Sequence, residues 1–386
     1  MNQKVKKRKG IRNRAFNLIF LKFSSLFLCH WVLQNNTSHL STIVYMDQHS
    51  FEESCARAAI AIRKADIFLL CTGAGFSADS GLSVFKDIAN IEAYHKRNIT
   101  YPELCCPIWL DKDPELFYGF FGKCFNDYRE TKPHRGYQII QEWRQSILDK
   151  QYETEDTFST EFNNKFTEAW NEFIRSKDLD DESFYNPKTG PFFIFTSNVD
   201  GHAVASGFLE DEVYEIHGCS NIWQCKDDYF CVKADDCFNA LNKGLLWRAP
   251  KDFRFDVDTE TMLVHDSEEE KEGWRQHPRC PHCSGLSRPS TYMFGDMWWA
   301  DHKPPRERYL AWEKVVLDYV QSGNKKLVIL EVGCGTNIET VRSHTESKLL
   351  ESIDICLHYI PSIGRREWRH YFDSSEPRRS TVPRYF

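Results

Sequence analysis

The chain alternates short apolar runs with longer stretches of helical periodicity. Three runs are mostly apolar and β-prone, as buried strands are, and they lie at 66–72, 192–196 and 326–332. Apolar residues at helical spacing predict helices at 51–64, 115–128, 136–148, 158–174 and 305–321, and a last strand is predicted at 353–360. Strands that alternate with helices indicate an α/β fold with a parallel sheet.

A glycine turn follows the first of these strands, within the segment Cys71–Asp87, CTGAGFSADSGLSVFKD. Gly73, Gly75 and Ala78 have the G-x-G-x-x-G/A spacing of dinucleotide-binding turns. Glycine lets the turn tighten and lets backbone N–H groups approach a pyrophosphate at the start of the next helix. A strand-to-helix turn that binds no ligand is the alternative. No second strand ending in an acidic residue follows about 20 positions on, which disfavours an ordinary dehydrogenase.

Polar residues follow the second predicted strand. Ser197, Asn198 and Asp200 stand where open parallel sheets bind ligands, and an Asx-capped turn is the alternative. Further on, His217 precedes a glycine at the end of another apolar segment. An imidazole titrates near neutral pH and can take a proton from a sugar hydroxyl, so His217 is a candidate general base. A structural or merely exposed histidine is the alternative.

The 14 cysteines lack the regular spacing of a small disulfide-rich secreted protein. Cys280 and Cys283 are separated by two residues and have prolines beside them, as in a metal-binding turn. Cys225 and Cys231 form a looser pair, and Cys237 could take the place of Cys231. Four thiolates suit a closed tetrahedral zinc site, whereas buried cysteines without a metal are the alternative.

Charge is distributed unevenly along the chain. The net charge of −7 includes a basic beginning, since residues 1–46 hold eight Lys or Arg and no acidic residue. The remainder holds 41 basic and 56 acidic residues. An acidic body argues against direct nucleic-acid binding and suits cationic protein tails better.

The N-terminal residues have a mixed character. Residues 4–14 are strongly basic and residues 15–33 are mostly apolar, as in a signal peptide or signal anchor, but Lys22 and His30 interrupt the apolar run. Met46 is a second start candidate just ahead of the first helix. We expect residues before it to form an extension outside the core, and the protein to be intracellular, in the cytoplasm or nucleus. Membrane anchoring or organelle targeting by the extension is the alternative.

The glycine segment resembles the nucleotide-binding loop of the sirtuins, the NAD-dependent protein deacylases, which reads G-A-G-(I/F)-S-x-x-S-G-I-P-D-F-R. In this chain Ser83 and Val84 replace the Pro and Asp of that pattern, and Lys86 replaces its Arg. The segment 197–200 is similar to the family's Q-N-I-D, with Ser in place of Gln. His217 and the glycine after it match the family's His-Gly.

Two later segments extend the resemblance. Residues 288–296 are similar to the family's R-P-x-V-x-x-F-G-E, with Asp296 in place of Glu. Residues 335–337 are similar to G-T-S, with Asn337 in place of Ser. The motifs occur in the family's order over Phe51–Pro361, which makes the combination far more specific than any one of them.

The resemblance implies a role for each matching residue. It assigns to NAD binding Gly73, Ala74, Gly75, Ser77, Phe85, Lys86, Ser197, Asn198, Asp200, Gly333, Gly335, Thr336 and Asn337. It assigns to catalysis His217, Asn198 and Asp200. It assigns to substrate binding Phe294, Gly295 and Asp296, on a strand that pairs with the peptide. It assigns to a structural zinc ion Cys225, Cys231, Cys280 and Cys283.

The resemblance also divides the chain into parts. It implies an N-terminal extension at 1–45, a sirtuin-like catalytic domain at 46–361 and a tail at 362–386. Within the domain, a Rossmann-like NAD-binding part lies at about 50–90, 190–220 and 288–361. The smaller module combines a helical insertion at about 91–189 with a zinc knuckle at about 221–287.

The implied activity is the NAD-dependent removal of acyl groups, such as acetyl, from protein lysines, with release of nicotinamide and O-acyl-ADP-ribose. The partner is then an acyl-lysine protein or peptide, NAD is the co-substrate and Zn²⁺ is structural. An NAD glycohydrolase or a mono-ADP-ribosyltransferase on the same scaffold is one alternative, because Val84 and Ser197 depart from the family pattern. A catalytically weak scaffold that keeps NAD or zinc for folding is another.

Overall fold

The computed structural model describes residues 18–23, 48–84, 87–149, 158–176, 187–226, 246–271, 273–300, 303–323, 325–335 and 340–345. Its strands are β1 (Leu18–Phe23), β2 (Ile67–Thr72), β3 (Phe192–Thr196), β4 (Val213–Glu215), β5 (Gly218–Cys225), β6 (Leu246–Arg248), β7 (Ser287–Thr291) and β8 (Leu327–Val332). Its α-helices are α1 (Gln48–Lys64), α2 (Ala74–Ala78), α3 (Glu92–Lys96), α4 (Tyr101–Leu104), α5 (Trp109–Lys112), α6 (Pro114–Glu130), α7 (Arg135–Asp149), α8 (Phe158–Ser176), α9 (His202–Ala205), α10 (Lys303–Gln321) and α11 (Thr340–Ser343).

Five strands form a parallel sheet in the order β1-β8-β2-β3-β4. At its centre, Leu70 of β2 is paired with Ile194 of β3 and with Leu330 of β8. Every residue of β2, β3 and β8 is buried, as expected for a parallel sheet that is covered on both faces. The α/β fold with a parallel sheet is therefore confirmed.

Helices cover both faces of this sheet. On one face, α8 and α10 bury Phe162, Phe166 and Trp312 against strand residues that include Phe193. On the other face, α1 and α7 pack against the sheet, with Ile140 fully buried. Because successive side chains of a strand point to opposite faces, each central strand contributes to both layers.

Helix α8 comes from the charged stretch between the two halves of the sheet. It begins at the predicted Phe158 and ends at Ser176. It packs on α10, with Phe158 against Tyr319 at a ring-centroid distance of 5.0 Å. Its aromatic stripe therefore completes the layer of helices that covers one face of the parallel sheet.

Strand β1 lies in the N-terminal stretch that we expected outside the core. Its backbone pairs in parallel with β8, from Leu18 opposite Leu327 to Phe23 opposite Val332. The proposed domain boundaries stay a prediction, and the strand predicted at 353–360 lies outside the described residues. Within the ranges described above, no helix is both long and apolar enough to span a bilayer.

A smaller module faces the carboxyl ends of the parallel strands. Its antiparallel sheet has the order β6-β5-β7, and helix α6 packs against it. Trp223 of β5 contacts Phe125 of α6 and Phe255, with ring centroids 6.2 and 5.9 Å apart. The predicted aromatic helix is α6, and much of its stripe is core, including Phe117 and Phe120.

Candidate active site

A cavity of about 300 Å³ lies where the parallel strands end and the smaller module begins. Residues that follow β2, β3 and β8 line it, among them Gly73, Asn198 and Gly335. His217 and Phe294 line the same cavity. The motifs are far apart in the sequence, and the sheet unites them because the carboxyl ends of parallel strands share one edge.

Two glycine turns contact each other behind the cavity wall. The Gly75 N–H donates to the Gly333 carbonyl at 3.0 Å. A Cβ on Gly75 would lie 2.9 Å from Gly333 Cα, and Gly333 has a φ of +66°, where a Cβ would come within 2.0 Å of the Phe76 nitrogen. Both glycines are therefore required for this close approach. Gly73 and Ala74 line the cavity, whereas Gly75 and Gly333 support them from behind.

A hydrogen-bonded network joins the first two segments. The Ser77 hydroxyl donates to Asp200 Oδ2 at 2.5 Å, and Asn198 Nδ2 donates to Ser77 Oγ at 2.8 Å. Asn198 Nδ2 also donates to the Gly73 carbonyl at 3.1 Å. Both amide protons of Asn198 are thus used within the protein, and a ligand at this residue would meet the amide oxygen, which is an acceptor.

Two threonines at the strand ends hold these segments in register. Thr72 Oγ1 donates to Thr196 Oγ1 at 2.7 Å, and the Asn198 N–H donates to Thr196 Oγ1 at 3.1 Å. The other oxygen of Asp200, Oδ1, accepts from the His202 N–H at 2.8 Å. The threonines were not among the predicted site residues, although a hydroxyl residue ending each of two neighbouring strands was a visible signal.

His217 lies between β4 and β5 with its half-buried ring at the cavity. Burial lowers the pKa of the imidazole, and a hydrogen bond to the Ser197 backbone partly opposes this effect. Its main chain is fixed, because the Tyr292 N–H donates to the His217 carbonyl at 2.8 Å. The residue is therefore a neutral proton acceptor at physiological pH.

Two further ionisable groups, neither of them among the predicted site residues, lie near Asp200. Burial and then the charge of Asp200 raise the pKa of the Glu215 carboxyl to about 8. The same two causes hold the pKa of the Tyr137 phenol well above its ordinary value. An acidic residue two positions before the candidate base His217 was the available signal. Both groups are neutral near pH 7, so the charge of Asp200 faces no second anion there.

The residues of the predicted substrate segment lie in two different environments. Phe294 lines the cavity and is 42% exposed, and its N–H donates to the Cys105 carbonyl at 2.9 Å. Gly295 has a φ of +68° and forms the turn that follows. Asp296 is buried instead, and its Oδ2 lies 2.7 Å from Nη2 of the buried Arg288. The Asp296 carboxylate therefore holds the turn in place and does not line the cavity.

Three cysteines converge in the smaller module. The sulfurs of Cys225, Cys280 and Cys283 all lie within 4.8 Å of one another, and those of Cys225 and Cys283 are 3.6 Å apart. The His282 N–H donates to Cys280 Sγ at 3.4 Å, as in a metal-binding turn. The fourth predicted ligand, Cys231, lies outside the described residues, as does its alternative Cys237.

Four residues assigned to NAD binding also lie outside the described ranges, namely Phe85, Lys86, Thr336 and Asn337. Of the others, the cavity lining includes Gly73, Ala74, Ser77, Ser197, Asn198, Asp200 and Gly335.

Similar proteins were found among curated sequences. No protein-family model matches the chain. An NAD-dependent protein deacylase of Deinococcus radiodurans is 26% identical over 176 residues, which cover 45% of this chain and 52% of the relative. An NAD-dependent protein deacylase of Bacteroides thetaiotaomicron is 32% identical over 75 residues, which cover 19% of this chain and 30% of the relative. The chain therefore spans about half the length of the first relative and less than a third of the second.

Similar chains were also found among solved structures. A mutant Sir2 homologue in complex with 2′-O-acetyl-ADP-ribose aligns over 81% of this chain and 83% of its own, at 16% identity and a TM-score of 0.41. Sir2 bound to an acetylated peptide aligns over 75% of this chain and 97% of its own, at 14% identity and a TM-score of 0.34. The fold assignment rests on the strand order and burial described above, and the two curated relatives confirm the resemblance that the motifs indicate.

Proposed function

We propose that this chain, which resembles the sirtuins, is an NAD-dependent protein deacylase that removes acyl groups from protein lysines. The observation that carries the proposal is the single cavity at which Gly73, Asn198, His217 and Gly335 meet. These residues come from four separate motifs of the resemblance. Each motif alone has a structural explanation, and their convergence on one cavity at the carboxyl ends of the strands is the arrangement that a common ligand requires.

NAD would supply a ribose whose C1′ carries nicotinamide as a leaving group. The residues present fit such a ligand. Backbone at Gly73 and Ala74 forms one wall, and the Asn198 amide oxygen offers an acceptor to a hydroxyl or a carboxamide N–H. Asp200 adds a negative charge close to where positive charge develops on the sugar, which stabilises the transition state.

His217 would act as the general base on a ribose hydroxyl during acyl transfer. That role requires a neutral imidazole within a water-poor cavity. Burial of His217 lowers its pKa, so the neutral form dominates at pH 7. The hydrogen bond between Tyr292 N–H and the His217 carbonyl keeps the residue at the cavity.

The acyl-lysine peptide would bind along the segment that follows β7. Phe294 is partly exposed and lines the cavity, so an extended peptide beside it would reach His217 with its modified side chain. The acidic body of the chain favours a cationic peptide. Asp296 and Arg288 would support this segment from the core without contacting the peptide.

A structural zinc ion is part of the proposal. Cys225, Cys280 and Cys283 present three sulfurs at a mutual spacing that one tetrahedral ion can bridge. None of them lines the cavity, so the metal would stabilise the fold of the smaller module and take no part in the chemistry. Cys231 or Cys237 would provide the fourth thiolate.

The proposal is tested by incubating the purified full chain with NAD, with and without an acyl-lysine peptide, and measuring nicotinamide. Peptide-dependent release together with O-acyl-ADP-ribose is the expected result. Peptide-independent release would instead indicate an NAD glycohydrolase, which the departures at Val84 and Ser197 favour as a second candidate. Absence of any release with a folded, zinc-loaded protein would indicate a scaffold and would overturn the proposal.

A further inference from the structure

One side of the cavity is formed by the smaller module and is almost wholly apolar. We call it the aromatic arm and define it by six lining residues, Tyr101, Cys105, Phe120, Phe121, Cys124 and Met293. Five of them belong to helices α4 and α6 or lie directly after α4. The aromatic stripe of α6, which the sequence pattern assigns to the core, thus also provides a wall of the cavity.

The aromatic arm is continuous with the place proposed for the reaction. The ring of His217 lies 6.4 Å from that of Tyr292, measured between centroids. The ring of Phe294 lies 6.1 Å from that of Tyr101, which in turn lies 6.3 Å from Phe120. The Phe294 N–H donates to the Cys105 carbonyl at 2.9 Å. A group entering between His217 and Phe294 therefore meets the arm next.

The described lining of the cavity offers no positive charge. No Lys or Arg is among these residues, and the one carboxylate is that of Asp200. Burial raises the pKa of the Cys105 thiol to about 12 and that of Cys124 to about 12, so both stay neutral. Burial likewise raises the pKa of the Tyr101 phenol. An anionic group placed here would be desolvated without a cationic partner among the described lining residues, which is strongly unfavourable.

We infer that the acyl group removed by this chain is a neutral hydrocarbon chain longer than acetyl, of octanoyl type, which extends into the aromatic arm. This inference rests on the proposed function. An acetyl group would leave the arm unfilled, whereas a longer chain removes both its own methylenes and the aromatic surface from water. A dicarboxylic acyl group such as succinyl would bring a negative charge into the same apolar space.

The test compares one peptide sequence with acetyl, butyryl, octanoyl or succinyl on the same lysine, by nicotinamide release at saturating NAD. Each buried methylene should raise kcat/KM about fourfold. The kcat/KM for the octanoyl peptide should therefore exceed that for the acetyl peptide by more than about tenfold. Most of the gain should appear in KM, because the methylenes are buried equally in the ground and transition states. Succinyl should be the poorest of the four.

A substitution that fills the arm provides the second test. Cys124→Phe places a ring within the arm and should lower the octanoyl-to-acetyl ratio of kcat/KM by about tenfold or more, since several methylenes lose their burial. Cys106→Phe is the matched control, because Cys106 neighbours the arm in sequence but does not line the cavity. Its ratio should match that of the unmodified chain. Cys124→Leu adds less volume and replaces the Phe variant if that protein fails to fold.

The outcomes separate this inference from the proposed function. A preference for acetyl or succinyl, or an octanoyl-to-acetyl ratio that Cys124→Phe leaves unchanged, would overturn the inference while peptide-dependent release still supported the deacylase. No release with any of the four peptides would overturn the deacylase proposal and the acyl preference together.

Discussion

The Ser77 hydroxyl donates to the Asp200 carboxylate over 2.5 Å and accepts from the Asn198 amide at 2.8 Å. One serine on the short helix after β2 thereby fixes two side chains that follow β3. The three residues come from two of the predicted motifs, and they form one network at the cavity.

Replacing Ser77 by alanine should remove both hydrogen bonds and release Asn198 and Asp200 from their positions. A hydrogen bond to a charged group contributes about 1.5–3 kcal/mol, so we expect kcat/KM for NAD to fall by about 10- to 100-fold. Steady-state nicotinamide release at varied NAD measures the change. Ser80→Ala is the control, because Ser80 Oγ accepts from the His134 N–H at 3.0 Å and lies outside the cavity lining. Equal activity of both variants would contradict a positioning role for Ser77.

His217 should govern the acidic side of the pH profile. Burial depresses its folded-state pKa below the ordinary value near 6.5, and the base works only when deprotonated. Activity should therefore stay constant from pH 7 down through about 6.5 and fall only at lower pH, with one proton taken up. Initial rates of peptide-dependent nicotinamide release, with circular dichroism to verify folding at each pH, measure this limb.

The variant His217→Ala should abolish peptide-dependent release at every pH. His265→Ala is its control, since His265 is exposed and pairs with Glu115 away from the cavity. A profile in which His217→Ala keeps the acidic limb and measurable peptide-dependent rates would show that another group is the base.

The buried pair of Arg288 and Asp296 should contribute to stability. Asp296→Asn leaves the Arg288 guanidinium buried without its counter-charge, which should cost about 3–5 kcal/mol of unfolding free energy. Denaturant unfolding followed by tryptophan fluorescence measures the loss. The double variant Arg288→Met with Asp296→Leu removes both charges and should recover much of it. If Asp296→Asn were as stable as the unmodified chain but failed to bind peptide, Asp296 would contact the substrate instead.

Zinc removal should unfold the smaller module and leave the parallel sheet largely intact. Cys280→Ser removes one of three clustered sulfurs, so bound zinc measured by atomic absorption should drop from about one per chain to near zero. Thermal unfolding should shift to lower temperature in the same variant and after chelation of the unmodified protein. Cys55→Ser is a control, since Cys55 is a buried cysteine of α1 outside the cluster. Full zinc content in Cys280→Ser would exclude this cluster as the site.

Much of the fold followed from local pattern. The strands predicted at 66–72, 192–196 and 326–332 form as β2, β3 and β8 within one residue of their predicted ends. A continuous apolar run of this length is typical of strands in a parallel sheet that is covered on both faces, which links the pattern to the fold class. The pairing of β1 with β8 was not predicted, because an apolar run interrupted by Lys22 also suits a signal segment.

The order of motifs along the chain predicted that Gly73, Asn198 and His217 lie close together, and all three line one cavity. The predicted role of the glycines in ligand binding holds only in part, since Gly75 allows the close contact with Gly333 and does not itself line the cavity. The role of Asp296 was also not visible, because a buried arginine opposite it can be recognised only once β7 and the following turn are folded together.

The sequence by itself determined which segments are strands and helices, the parallel character of the sheet and the residue types available for chemistry, because periodicity and turn composition act over a few neighbouring residues. Only the tertiary structure decided that Ser77 meets Asp200, that Glu215 lies beside that carboxylate, and that α6 lines a cavity as well as the core. The physical reason is separation along the chain. Ser77 and Asp200 are 123 residues apart, and their contact depends on which strands are neighbours in the sheet, which no local pattern encodes.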